Sequence, residues 1–228
     1  MFRYLILMGL VGLFLFPVPG SAGQKKPYVP DSAEFDGTNG IAVEADPGLT
    51  IRETGTIEFW VAPGWKKDPG YDPVVLSNAG PEGVLYLVSI LADRKGIEVA
   101  AGDRSVYAAF DFTDDKMHYV AISDYEDELL IYIDAKLVGR FEGFSFKDLP
   151  SAGLWIGTGD GVSAPFKGAI AALRIWSYAI APEDLILFSL KDVSADENNI
   201  HPALDYLQGI SDFDNRDFYI AENSPPAE

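Results

Sequence analysis

The chain has 228 residues, 17 basic against 35 acidic for a formal charge of −18, with 48% hydrophobic and 13% aromatic residues and no cysteine. This composition supports a buried core and excludes a disordered chain. The acidic excess disfavours nucleic acid, whose phosphates need a basic surface, and fits solubility or cation binding instead. Without cysteine there is no disulfide framework, so stability rests on core burial, and the length suits one all-β sandwich or barrel with extensions.

Arg3 precedes an apolar run from Tyr4 to Phe16; Pro17 and Pro19 break it, and Gly20-Ser21-Ala22 supplies small residues for a signal peptidase. The run falls short of the roughly 20 residues that span a bilayer. Cleavage is expected after Ala22, placing the protein outside the cell or in the periplasm, with no membrane span remaining. No cysteine follows the run, so a lipid anchor on an N-terminal cysteine is excluded. A polar linker at 23–32 leads into a domain at 33–190, and an acidic extension occupies 191–228.

Within the domain, apolar alternation and Gly/Asn/Asp/Pro punctuation predict a series of short strands. In Gly55 to Ala62, Ile57, Phe59 and Val61 share one face, and Glu58 and Trp60 share the other. A Gly/Pro/Lys/Asp loop, Pro63 to Pro73, displays Trp65 and Tyr71. Strands follow at Val74–Leu76, Val84–Ile90, Ile97–Ala101 and Val106–Phe112. Next comes a three-strand meander in Lys116 to Val138, the stretch around which the domain is organised. Its second reversal is a two-residue turn at Asp134-Ala135, where positive φ is needed and Ala costs roughly 1 kcal/mol. Gly153 to Gly157 and Phe166 to Trp176 complete the strands. A short helix opens at Pro182, with Glu183 and Asp184 at its positive end and Leu185, Leu187 or Phe188 on its apolar side. No helical pattern separates the strands, so the reading is an all-β, two-sheet antiparallel jelly-roll sandwich.

The chain resembles a LamG-like jelly roll of the concanavalin A-like lectin/glucanase superfamily. The matching strings, in order, are Phe35-Asp36-Gly37, Thr56 to Val61, Lys116-Met117-His118-Tyr119-Val120-Ala121 and Leu130 to Val138. Leu154-Trp155-Ile156-Gly157, Phe166 to Ile170, Leu173-Arg174-Ile175-Trp176-Ser177 and Ile180 to Leu185 follow. The chain departs from the pattern at Ile170-Ala171-Ala172, where the family often has Ile-Asp-Glu; losing that carboxylate weakens any calcium site built on it. Met117 and Tyr119 replace an aromatic residue and a histidine, and both still suit a strand.

Chemistry-bearing residues are few. His118 and His201 are the only imidazoles, and no Gly-x-Ser-x-Gly elbow occurs. His118 resembles a structural position of the family; His201 reads as a surface residue. Glucanases of the superfamily carry carboxylates in a Glu-x-Asp-x-x-Glu string on one strand face, which is absent here. Glu126 and Glu128 have i, i+2 spacing but belong to a hairpin connection. The expectation is therefore no enzyme. Structural calcium is a candidate cofactor at Asp36, Asp160 or the Asp212-Phe213-Asp214-Asn215-Arg216-Asp217 run; Arg216 and a missing Gly break the EF-hand pattern.

Trp60 and Trp176 read as packing residues within strand motifs. Trp65, Tyr71 and Trp155 are the candidate ligand residues, because ring faces stack on the apolar side of a pyranose. The function expected is an exported, non-catalytic module binding a glycan or an extracellular partner. The alternative is a structural subunit of an envelope or extracellular assembly, and a glycan hydrolase comes third.

Overall fold

The computed structural model describes residues 32–185, apart from 46–48, 50, 52–53, 81–82, 126, 147–148, 150–151, 177 and 183. The signal segment, most of the linker, His201, the Asp212–Asp217 run and the acidic extension lie outside the described residues.

Twelve strands are described. They are β1 (Ser32–Asp36), β2 (Ile41–Val43), β3 (Gly55–Pro63), β4 (Val74–Gly80), β5 (Gly83–Ile90) and β6 (Gly96–Ala101), then β7 (Arg104–Ala109), β8 (His118–Tyr125), β9 (Glu128–Ile133), β10 (Lys136–Glu142), β11 (Leu154–Ile156) and β12 (Lys167–Trp176). They form two six-stranded antiparallel sheets. Sheet A runs β1-β12-β3-β8-β9-β10 and sheet B runs β2-β11-β4-β5-β6-β7. The chain passes between the sheets several times, so the two layers are stitched by connections rather than built in sequence. The two-sheet sandwich expected from the alternation is what forms.

The core lies between the sheets. From sheet A it takes Ile57, Phe59, Val61, Val120, Ile122, Ile131 and Ile133; from sheet B it takes Leu76, Val88, Ile90, Ile97, Val99 and Ile156. Each set obeys the period of two that points alternate side chains to opposite faces. Sheet A also buries its outer face. Trp60, Tyr119, Leu130, Tyr132 and Trp176 form a second cluster there, with Ile180 and Leu185 packed against it. Leu185 donates its N–H to the Ala181 carbonyl at 3.1 Å, a helical turn where the short helix is expected; Leu187 and Phe188 lie outside the described residues.

The meander β8-β9-β10 fills one half of sheet A and ends at its edge. Ile133 pairs with Lys136, which leaves Asp134 and Ala135 as the two turn residues, at φ 49° and 60°. Both adopt the left-handed conformation that a type I′ hairpin demands. Ala135→Gly is accordingly expected to stabilise the protein by about 1 kcal/mol in urea unfolding, by removing the Cβ clash of that conformation. A loss of stability would count against the turn.

The strand expected over Val106–Phe112 stops at Ala109. Phe110 and Phe112 instead pack their rings together at 4.7 Å and edge-on to His118 at 4.9 and 5.6 Å. Phe112 is fully buried there, an apolar anchor beyond the end of the strand.

Candidate functional site

A cleft of about 380 Å³ opens where β2, β11 and β4 lie side by side at the edge of sheet B. Trp155 is the central side chain of β11, paired with Ala42 of β2 and Ser77 of β4. Leu154 and Ile156 on either side of it are buried in the core, so alternation turns Trp155 outward, where it is half-buried. Ala42, Ala79, Gly80 and Ala152 line the cleft with almost no side chain, leaving one indole as its large apolar surface. Glu44 and Asp160 add carboxylates.

The loop after β11 props the indole from behind. Gly161 sits at φ 97°, and a Cβ there would come within 2.9 Å of the outer atoms of the Trp155 six-membered ring, so the backbone packs closely against the indole. Asp160 holds that loop: its Oδ1 accepts the N–H of Ser163 at 2.7 Å and of Val162 at 3.1 Å. The Ser163 N–H, then the Ser163 hydroxyl and the Val162 N–H, keep the Asp160 carboxyl below its ordinary pKa, so it is ionised at neutral pH. Both backbone bonds fall on one oxygen, which fixes the carboxylate against the loop. Ser77 Oγ ties the loop to β4 by donating to the Gly159 carbonyl at 2.5 Å. A fixed ring face, a floor of small residues and two acceptor groups can hold a flat, hydroxylated ligand. The volume is near the lower end of ligand-sized clefts and suits a sugar unit or two.

The three candidate ligand residues do not converge. Trp65 is 6% exposed and belongs to the main core. Its ring meets Phe166 edge-on at 5.6 Å and its indole N–H donates to the Ala92 carbonyl at 2.8 Å. Gly64 N–H bonds to the Lys167 carbonyl at 2.8 Å and brings the loop back onto β12, so the expected display of Trp65 is corrected. Tyr71 is 39% exposed and its hydroxyl donates to the Pro165 carbonyl at 3.2 Å, outside the lining of the cleft. Only Trp155 shapes the cleft. Glu44 and the small-residue floor escaped the sequence reading, because strand pairing alone assembles them.

The other chemistry-bearing groups are committed to structure. Glu58 is 0% exposed on the outer face of sheet A. It accepts hydrogen bonds from Arg174 Nη1 at 3.1 Å, from Trp176 Nε1 at 2.9 Å and from the Tyr119 hydroxyl. Burial, and then the Glu58 carboxylate, push the Tyr119 hydroxyl's pKa up, so it stays a neutral donor. Glu128 is not in the connection but opens β9, where it pairs with Arg140 at 3.1 Å; Glu126 lies outside the described residues. Asp36 accepts from the Thr38 N–H at 2.8 Å and the Thr38 hydroxyl at 2.7 Å, closing a turn. Among the described residues no three His, Asp or Glu side chains converge as a metal site.

His118 is clamped. Its Nδ1 lies 2.8 Å from Asp134 Oδ2 and its Nε2 lies 2.9 Å from Asp114 Oδ1. Burial acts to lower its pKa, but the bonds to Asp134 and Asp114 prevail and raise it above 6.5. The imidazolium therefore contributes its full stabilisation below the unfolded pKa, and that contribution is lost as pH rises through the higher folded value. As pH rises above about 6.5, the ordinary imidazole value, the native protein should lose melting temperature that a His118→Gln variant does not. Parallel pH profiles of the two would remove the clamp.

No curated protein matches the chain. Solved structures do. The carbohydrate-binding module CBM40 of Ruminococcus gnavus IT-sialidase superposes with a TM-score of 0.58 at 15% identity, covering 71% of this chain and 97% of that one. Domain 4 of the extracellular arabinanase AbnA of Geobacillus stearothermophilus, solved with arabinotriose, gives 0.55 at 17%, covering 70% and 76%. A Bacteroides ovatus protein proposed to bind carbohydrate gives 0.57 at 20%, covering 71% of this chain but only 47% of that one. At these identities the likeness is one of fold. A laminin-G-type family model matches residues 35–185, and the chain thus belongs to the concanavalin A-like lectin/glucanases superfamily.

Proposed function

We propose that the protein is an exported, non-catalytic glycan-binding module whose ligand stacks on Trp155. The observation that carries this reading is the indole itself, held between the Gly161 backbone and an open cleft with a fixed Asp160 carboxylate beside it. Solved neighbours include a module bound to α2,3-sialyllactose and a domain bound to arabinotriose, which supports carbohydrate as the ligand class. The absence of catalysis is supported by Glu58, buried behind Arg174, Tyr119 and Trp176 where no glycosidic bond reaches it. Export rests on the apolar, Pro-terminated N-terminal run and the small residues before Gly23.

The test is a glycan array probed with the protein and with Trp155→Ala. Selective binding is expected. The variant should weaken it by about 2 kcal/mol, roughly 30-fold, as for an aromatic anchor removed from the centre of a contact. Binding that survives Trp155→Ala unchanged would move the site elsewhere, and an array without signal would sink the glycan reading.

A further inference from the structure

We infer that the Trp155 cleft selects uncharged and amino sugars and rejects anionic ones, so that its ligands are neutral or cationic glycans rather than sialylated, uronate or sulfated chains. The inference rests on the glycan reading above and narrows its ligand class. The charged residues lining the cleft, among the described residues, are both acidic: Glu44 and Asp160. Asp160 is fixed by two backbone N–H groups and held ionised, so a ligand cannot evade its charge by rotation or protonation. Anion recognition in proteins uses Arg forks, Lys, or clustered backbone N–H donors.

Among the described residues, the cleft's lining offers none of the cationic groups. The described cations elsewhere are largely spent on carboxylates: Lys66 and Arg94 on Asp115, Lys95 on Asp111, Lys116 on Asp114, Arg140 on Glu128 and Arg174 on Glu58. The formal charge of −18 adds a field of the same sign. An ionised carboxylate is a strong acceptor for sugar hydroxyls and stronger still for an ammonium group, whereas a ligand carboxylate or sulfate brought beside it meets like-charge repulsion. This separates the chain from its neighbour crystallised with sialyllactose, an acidic sugar, despite the shared fold.

The experiment uses the protein on an array printed with matched glycans, each backbone in neutral, amino, N-acetylated, uronate, sialylated and sulfated forms. It is run at low and moderate salt with EDTA present, so that no cation bridges acid to acid. The protein is expected to bind neutral and amino forms at least tenfold more tightly than anionic forms of the same backbone, with the gap narrowing as salt rises. The double variant Glu44→Gln, Asp160→Asn keeps an oxygen acceptor at both positions, so the loop bonds to Val162 and Ser163 persist. It should bring anionic forms to within about twofold of neutral forms of the same backbone, whatever the change in absolute affinity, with an unchanged melting temperature verifying the fold. Preferential capture of anionic glycans by the native protein, or an unchanged preference in the double variant, would overturn the inference while leaving the glycan reading intact. Silence across all charge classes would instead defeat the glycan reading, and the inference with it.

Discussion

Glu58→Ala should cost about 3–5 kcal/mol of unfolding free energy, the loss expected when one partner of a buried ion pair is removed. Glu58 accepts from Arg174, Trp176 and Tyr119 on a face where all four are under 2% exposed. Truncation strips the Arg174 guanidinium of its counter-ion and two further donors of their acceptor, all inside the protein. Desolvation, not the geometry of any one bond, dominates that cost. Glu58→Gln keeps an acceptor for part of the network and should fall between. The double variant Glu58→Met, Arg174→Met removes both charges together and should lose much less than Glu58→Ala, because no buried charge is left behind. Urea unfolding at constant m-value resolves these cases. A Glu58→Ala loss below about 1 kcal/mol would mean that the charges are reached by water.

Trp65→Ala is expected to cost a similar amount, about 3–5 kcal/mol, through cavity formation in the core. The ring fills the space beside Phe166 and its N–H satisfies the Ala92 carbonyl, so deletion loses packing and orphans an acceptor. Tyr71→Ala, from the same loop but more than a third exposed, should change stability by no more than about 0.5–1 kcal/mol. Trp65→Phe, which keeps most of the volume, should fold and bind glycans as the native protein does. Reduced glycan affinity in a folded Trp65→Phe would return this residue to the binding surface.

The contrast between these residues shows where sequence reading succeeds. Strand alternation put Ile57, Phe59 and Val61 on one face, which the fold buries, and turned Trp155 away from Leu154 and Ile156, because a period of two is a local property of extended backbone. The Asp134-Ala135 turn was legible for the same reason, since two residues between paired strands leave few conformations. Glu58 was not. Alternation says which face a residue takes, not what covers that face, and the outer face of sheet A proves to be buried as well.

Trp65 misled because a Gly/Pro-rich loop looks exposed, while the bond from Gly64 to Lys167 is long-range and leaves no local trace. His118 with Asp114 had visible i, i+4 spacing; Asp134 joins them only when the meander closes. The cleft is the extreme case. Glu44, Ala79, Ala152 and Trp155 come from separate segments, and only the register of β2, β11 and β4 assembles them.

The most direct measurement follows the indole N–H signals of the four tryptophans by NMR during titration with the neutral glycan that binds best on the array. Stacking in the cleft should shift the Trp155 signal, assigned through Trp155→Phe, and leave those of the buried Trp60, Trp65 and Trp176 in place. Saturable binding that moves one of the buried indoles, or that leaves Trp155 unmoved, would contradict a site at the edge of sheet B.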